Sequence, residues 1–228
     1  MSPTLFIILF SIVIFGVAFS AIYLLYQLLT NFQPGKNRVL ADFRKMREEV
    51  KTWTQQLIPW NQEEMSLLSL RQVNQKVKRG LLKTAKGVYT SIYHEPLIVY
   101  NYRKYISTKK NAILYARTSK NEFAYRMWKN KVDINIDGQF VGTLKDNGEF
   151  VSGRRNRLLA KINQDDTLPL YPVQIGKKEV ASVASLAKTT KHNPRAFQFL
   201  QTMEEKEEKV FTALAIFKMV NESLEEEF

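Results

Sequence analysis

The chain has no cysteine and two histidines in 228 residues. The first absence removes disulfides and thiolate chemistry and agrees with a reducing compartment. Without thiolates, a zinc site would need both His94 and His192 plus two carboxylates, and their positions follow no ligand spacing. No G-x-S-x-G elbow, phosphate-binding glycine loop or dinucleotide fingerprint is present. Neither a lipidation box nor an organelle address can be read. The most informative absence is charge: no Asp, Glu, Lys or Arg precedes Lys36.

Inside that uncharged region, residues 5–29 are an almost unbroken run of Phe, Ile, Leu, Val, Ala and Tyr. As a helix rising 1.5 Å per residue, the run crosses a hydrocarbon core of about 30 Å with some tilt. A helix satisfies its own backbone polar groups there. Tyr23, Tyr26 and Gln27 sit where amphipathic groups meet the interface, and Pro34-Gly35 ends the element. A cleaved leader is opposed by the missing basic residue before the run, by the length of the run and by the lack of an A-x-A-type site. The basic residues Lys36, Arg38, Arg44, Lys45 and Arg47 follow immediately. By the positive-inside rule they place the N-terminus outside and the remaining chain in the cytoplasm. Gly16 and Ser20 form a small-xxx-small pair that lets two such helices approach.

The remainder carries an uneven charge: net +13 over residues 36–130, +4 over 131–201 and −5 over 202–228. The basic part lies nearest the membrane in sequence, which suits attraction to anionic headgroups as well as an ordinary solvated surface. Aromatic content of 12% argues against a disordered tail.

After the turn the apolar period changes. Val39, Phe43, Met46, Val50, Trp53 and Leu57 form an a/d seam of nearly three heptads on a helix over 36–58, stopped by Ile58-Pro59. Such a seam pairs with a second copy or partner, packs on the chain's own domain, or lies on the membrane surface. Residues 59–87 read as a basic connector with a short helix capped by Asn61 and Glu64. Lys76, Lys78 and Arg79 in it are candidates for headgroup or partner binding.

From residue 88 the pattern is β. Alternating runs are broken by turn signals, of which Asp137-Gly138 and Asn147-Gly148 are the strongest. About eight to ten antiparallel strands are expected. The end is helical: Asn193-Pro194 provides a cap and first position, and the expected helix covers 194–224. Residues 210–220 are apolar on nearly every face, so this helix must be buried, and it is too short to span a bilayer. The expected organisation is therefore a transmembrane anchor (1–35), a juxtamembrane heptad helix (36–58), the connector (59–87) and a domain over 88–228. The fold class is an N-terminal transmembrane helix plus an α+β cytoplasmic domain. In that domain an antiparallel meander, barrel-like or strongly curved, packs around the C-terminal helix.

Motifs for chemistry are sparse. Asp133-Ile-Asn135-Ile-Asp137-Gly138 begins like an EF-hand loop, but Leu144 stands where a bidentate Glu is required, and the interleaved Val132, Ile134 and Ile136 read as a strand. His94 and Glu95, adjacent on a strand, would point to opposite faces. Arg154, Arg155 and Arg157 form a dense basic cluster able to grip phosphate. Tyr100, Tyr102 and Tyr105 interleave with Arg103 and Lys104 as in single-strand binders, but their alternation is that of a half-buried sheet. Nucleic acid is not the expected partner.

A long antiparallel meander closing on a wholly apolar C-terminal helix resembles the tubby-like and phospholipid-scramblase barrel. The resemblance rests on the two hairpin turns and on residues 210–220, covers roughly 88–221 and includes no diagnostic motif. It departs in placing a membrane helix at the N-terminus and in a somewhat short domain. It transfers no site residue and implies a binding test with acidic lipid headgroups. The expected function is a non-enzymatic, single-pass assembly or accessory subunit without cofactor or metal. Its partners would be the membrane and a protein or second copy reached through helices 5–30 and 37–58. The alternatives are an acidic-phospholipid-binding domain and an enzyme of unknown class.

Overall fold

The computed structural model describes residues 3–32, 34–80, 82–107, 110–153, 155–163, 165, 167–189, 194–198 and 200–225. It begins with helix α1, Pro3–Asn31, whose central span Ile7–Tyr26 is long and apolar enough to cross a membrane and has no part buried against the rest of the protein. Helix α2 follows at Lys36–Thr54 and a short helix α3 at Gln62–Ser66. Asn61 caps α3, its side-chain oxygen accepting the Glu64 N–H at 2.9 Å.

Twelve antiparallel strands then run as one continuous meander. They are β1 Leu68–Lys78, β2 Lys83–Ser91, β3 Pro96–Lys104, β4 Asn111–Arg117, β5 Glu122–Trp128 and β6 Lys131–Ile136. The rest are β7 Gln139–Lys145, β8 Glu149–Ser152, β9 Leu158–Ile162, β10 Leu170–Ile175, β11 Lys178–Ala184 and β12 Phe197–Gln198. The sheet curls until its ends nearly meet. Ser69 of β1 bridges Arg195, the Leu70 N–H donates to the Pro194 carbonyl at 3.0 Å, and the Ala196 N–H donates to Leu68 at 2.7 Å. These contacts cover the edge of β1 at Leu68–Leu70, and residues 71–78 continue along the rim of the sheet beyond them.

Helix α4, Glu205–Glu225, runs through the middle. Every side chain from Phe211 to Phe217 is buried. Phe211 meets Phe197 edge-on at 4.9 Å, and Tyr125 stacks on Phe217 at 5.9 Å while its hydroxyl donates to the Ala213 carbonyl. Inward residues of the strands and this helix make one core, as the all-round apolar pattern of 210–220 demands. The sheet tightens locally: a Cβ on Gly142 would lie 2.2 Å from the Val151 carbonyl oxygen, so only glycine lets β7 and β8 approach this closely there. Asp137 and Gly138 both take positive φ, +51° and +77°, the two-residue turn that Asp-Gly signals.

Four expectations need correction. Residues 68–87, read as connector, are mostly β1 and β2, so the sheet begins at Leu68 and holds twelve strands. Lys76, Lys78, Lys83 and Lys86 had masked the alternation. Gly87, which reads as punctuation, is a strand residue that makes room for Tyr100, whose ring would lie 3.0 Å from an added Cβ. Residues 194–198 are extended because they close the barrel, so the last helix begins at Glu205 and not at Pro194; Asn193 itself lies outside the described residues.

The third correction concerns the heptad seam. Val39, Met46 and Val50 are buried against Val88, Val99, Ile113 and Tyr115 on the outer face of β2–β4, with Phe43, Trp53 and Leu57 packed beside them. The apolar stripe is thus covered by the chain's own sheet, and no seam is left for a coiled coil. Fourth, His94 is not on a strand: it is exposed in the β2–β3 turn with φ +67°.

Candidate functional site

In an antiparallel meander, successive turns alternate between two ends. The β1–β2, β3–β4, β5–β6 and β7–β8 turns share one end. α1 arrives there: Phe32 bridges Ile106 in the β3–β4 connection, and Asn31 is buried. α2 starts at this end and runs to the other, where Arg47 bonds Glu122 and the Trp60 N–H donates to Ser119. α4 runs the same way round in reverse, entering beside Lys120, which pairs with Glu208 at 3.6 Å, and ending near Lys110.

Two contacts fix α2 on the sheet at the α1 end. Asp42, buried, accepts from Arg103 Nη1 at 2.5 Å and from the Tyr105 hydroxyl at 2.6 Å. Burial first, and then the Asp42 hydrogen bond, push the Tyr105 pKa far above the ordinary phenol value. Further along α2, Asn101 donates to the Met46 carbonyl and to Glu49.

The α1 end is rich in lysine, and the register brings like charges face to face. Lys76 stands opposite Lys86, Lys83 opposite Lys104, and Lys131 opposite Lys145. Directly opposed like charges destabilise a ladder. Trp128, 41% exposed, ends β5 at this rim, with the Arg126 guanidinium 5.2 Å from its ring. Beside it a cleft of about 180 Å³ opens next to the last turns of α4. Lys110 lines it, donating to Asn221 at 2.9 Å. Burial of its ammonium group lowers the Lys110 pKa, against the opposing pull of Glu225.

The candidate basic residues therefore separate. Lys76, Lys78 and Arg79 are exposed toward the α1 end. Arg155 and Arg157 are exposed in the β8–β9 connection at the opposite end, and Arg154 lies outside the described residues. The two clusters do not form one site, and only the first is near α1. The lysines at 104, 110, 129, 131 and 145 do not form one group in the sequence, being spread over the ends of several strands. A turn-by-turn assignment of ends is the signal that gathers them.

Other expected motifs are structural. Asp133 accepts from Thr143 at 2.7 Å, and Asp137 holds Asn121 and the Glu122 N–H across the β4–β5 turn. Among the described residues no group of His, Asp and Glu is placed to hold a metal ion. His192 lies outside them. No family model, curated protein or solved structure matches this chain.

Proposed function

We propose that this is a single-pass membrane protein whose barrel rests, lysine-rich end down, on the acidic leaflet of the membrane that α1 crosses. In this reading the barrel is a non-enzymatic accessory module in the cytoplasm, and its far end, with Arg155 and Arg157, is turned toward partners. The single observation that carries the reading is the placement of three opposed lysine pairs in the half of the barrel nearest α1. Such pairs cost stability in water and are relieved beside an anionic surface, where each lysine gains on the order of 1 kcal/mol. The basic residues just after α1 favour the cytoplasmic orientation.

The test is hydrogen exchange on the full chain in nanodiscs of phosphatidylcholine with and without phosphatidylserine. Phosphatidylserine is expected to slow exchange in the β3–β4 and β5–β6 turns and to leave the β8–β9 connection unchanged. Equal exchange in both lipids, or protection at the β8–β9 end, contradicts the reading.

Self-association remains a second reading through α1 alone. The Ser20 hydroxyl donates to the Gly16 carbonyl at 2.8 Å, so it needs no partner, and open space lies over Gly16. Both features suit close helix approach in a bilayer. Cross-linking in membranes that Gly16→Leu abolishes supports it; cross-linking that Gly16→Leu leaves unchanged removes it.

A further inference from the structure

We propose that the outer wall of β7–β9, toward the end of the barrel away from α1, docks an acidic polypeptide segment of a partner protein. This rests on the reading of that end as the one turned toward partners and gives the partner a chemistry.

The sheet itself shows how an apolar outer wall is treated. Over β2–β4 the outward residues Val88, Val99, Ile113 and Tyr115 lie under the stripe of α2. The wall of β7–β9 has no such cover: Phe140 is 51% exposed and Leu158 46%. Both point outward. Phe140 stands opposite Asn135, which lies between the inward Ile134 and Ile136, and Leu158 stands opposite Val151, next to the inward Phe150. From Gly35 onward, the exposed large apolar side chains among the described residues are Leu40, Tyr93, Trp128, Phe140 and Leu158. Of these, only Phe140 and Leu158 share one wall, on strands either side of β8 and so roughly 10 Å apart.

The two side chains are held ready. The Phe140 ring rests on the bare backbone of Gly153, where an added Cβ would lie 2.2 Å from it. The Gly153 N–H is fixed on the Val141 carbonyl at 3.1 Å, and the Ser152 N–H on the Arg157 carbonyl at 2.8 Å. Ordering before contact lowers the entropy cost of docking.

The charge around the pair sets the partner's chemistry. Residues 150–164 hold Arg154, Arg155, Arg157 and Lys161 and no Asp or Glu. Arg155 and Arg157 are exposed, and neither side chain has an ion pair among the described residues. The neighbouring carboxylates are engaged elsewhere. Glu149 takes Lys145 at 3.1 Å and has Lys161 opposite it. Asp133 takes Thr143 at 2.7 Å and has Arg126 opposite it, and Asp137 takes Asn121 at 2.7 Å and the Glu122 N–H. On the next hairpin Lys177 and Lys178 outnumber Glu179. The acidic start of α4 lies by the β4–β5 turn, where Glu208 pairs with Lys120 and Glu205 with Lys209. The wall thus stays basic after these carboxylates are counted. Its cations beside the apolar pair are arginines, whose planar forks take carboxylates through two bonds at once. Arginine and aromatic residues are enriched in protein interfaces, whereas lysine is depleted. Aliphatic Val151 and Leu158 give a base nothing to stack on, which favours polypeptide over nucleic acid.

The experiment places photoreactive benzoylphenylalanine at position 140, and separately at 158, of the full chain in the cells that make it. Adducts formed on irradiation are digested and the cross-linked segment is sequenced by mass spectrometry. The variants are Arg155→Glu with Arg157→Glu, Gly153→Ala, which lifts the ring without changing charge, and, as a control at the other end, Lys76→Glu with Lys78→Glu. Melting temperature verifies that each stays folded.

The expected result is a polypeptide adduct at both positions, through a segment with more Asp and Glu than Lys and Arg. Its yield should fall about tenfold in the arginine pair, fall in Gly153→Ala and hold in the control. No polypeptide adduct, a cross-linked segment without net negative charge, an adduct with nucleic acid, or equal loss in the two charge-reversed pairs overturns the proposal. If phosphatidylserine still slows exchange in the β3–β4 and β5–β6 turns in that case, the membrane-facing reading stands and the docking wall alone falls. An adduct with lipid overturns both.

Discussion

Asp42 of α2 and Arg103 of β3 form a buried ion pair at 2.5 Å, with side chains only 6% and 10% exposed. This pair, with the Tyr105 hydroxyl, pins the first half of α2 to the barrel-like sheet. Removing one partner leaves the other buried and uncompensated, which costs about 3–5 kcal/mol. Asp42→Ala should therefore lower the melting temperature by many degrees, and Asp42→Ala combined with Arg103→Met should recover part of the loss. A change under about 1 kcal/mol, the range of a surface pair, would show that the contact is solvated.

The interior helix gives the second prediction. Leu214 is fully buried and Phe217 stacks on Tyr125. Truncating either to alanine removes core volume at about 2–5 kcal/mol each. Thermal unfolding should fall by several degrees for both Leu214→Ala and Phe217→Ala. Parental melting in both variants would place α4 outside the cooperative core.

The third concerns the α2 stripe. Because Val50 is buried and Phe43 packs against the same sheet face, Phe43→Asp with Val50→Asp should strip α2 from the sheet and destabilise the domain. Cross-linking between copies should be unaffected wherever the protein remains folded. Loss of cross-linking at unchanged stability would restore the seam as an association surface.

Residues with a single strong local cause were legible. The all-round apolar 210–220 required burial, Asp137-Gly138 required a tight turn, and Asn61 with Glu64 required a cap; each is present. β1 and the first half of β2 were not legible, because Lys76, Lys78, Lys83 and Lys86 interrupt the apolar alternation, whereas residues 88–91 of β2 read as strand. Residues 194–198 were not legible either. Their extended form is set by bonds to Leu68 and Leu70, more than a hundred positions away. The destination of the heptad seam is likewise a tertiary outcome: Val39, Met46 and Val50 have the spacing of a coiled coil, and only the outer face of β2–β4 decides that they pack at home. The lysine-rich end was legible only in part: Lys76, Lys78 and Arg79 fall in one window, and register alone joins them to Lys104, Lys131 and Lys145.

The fourth prediction is topological. Lys36, Arg38, Arg44, Lys45 and Arg47 follow α1. Protease added outside sealed cells should leave the barrel intact and should degrade it after permeabilisation. Digestion from outside would reverse the orientation.

The central claim is that the barrel rests on its membrane by the end that carries Trp128. This is one of three tryptophans; Trp60 is buried, and Trp53, on α2, packs toward the outer face of β2–β4. An aromatic ring at a lysine-rich rim belongs at the headgroup level. The most direct measurement is quenching of tryptophan fluorescence by bromine-labelled lipids, with the full chain reconstituted in vesicles containing phosphatidylserine. The account predicts quenching in the parent that Trp128→Phe removes and that high salt weakens. Quenching that is the same in the parent and in Trp128→Phe, or absent from both, would contradict it.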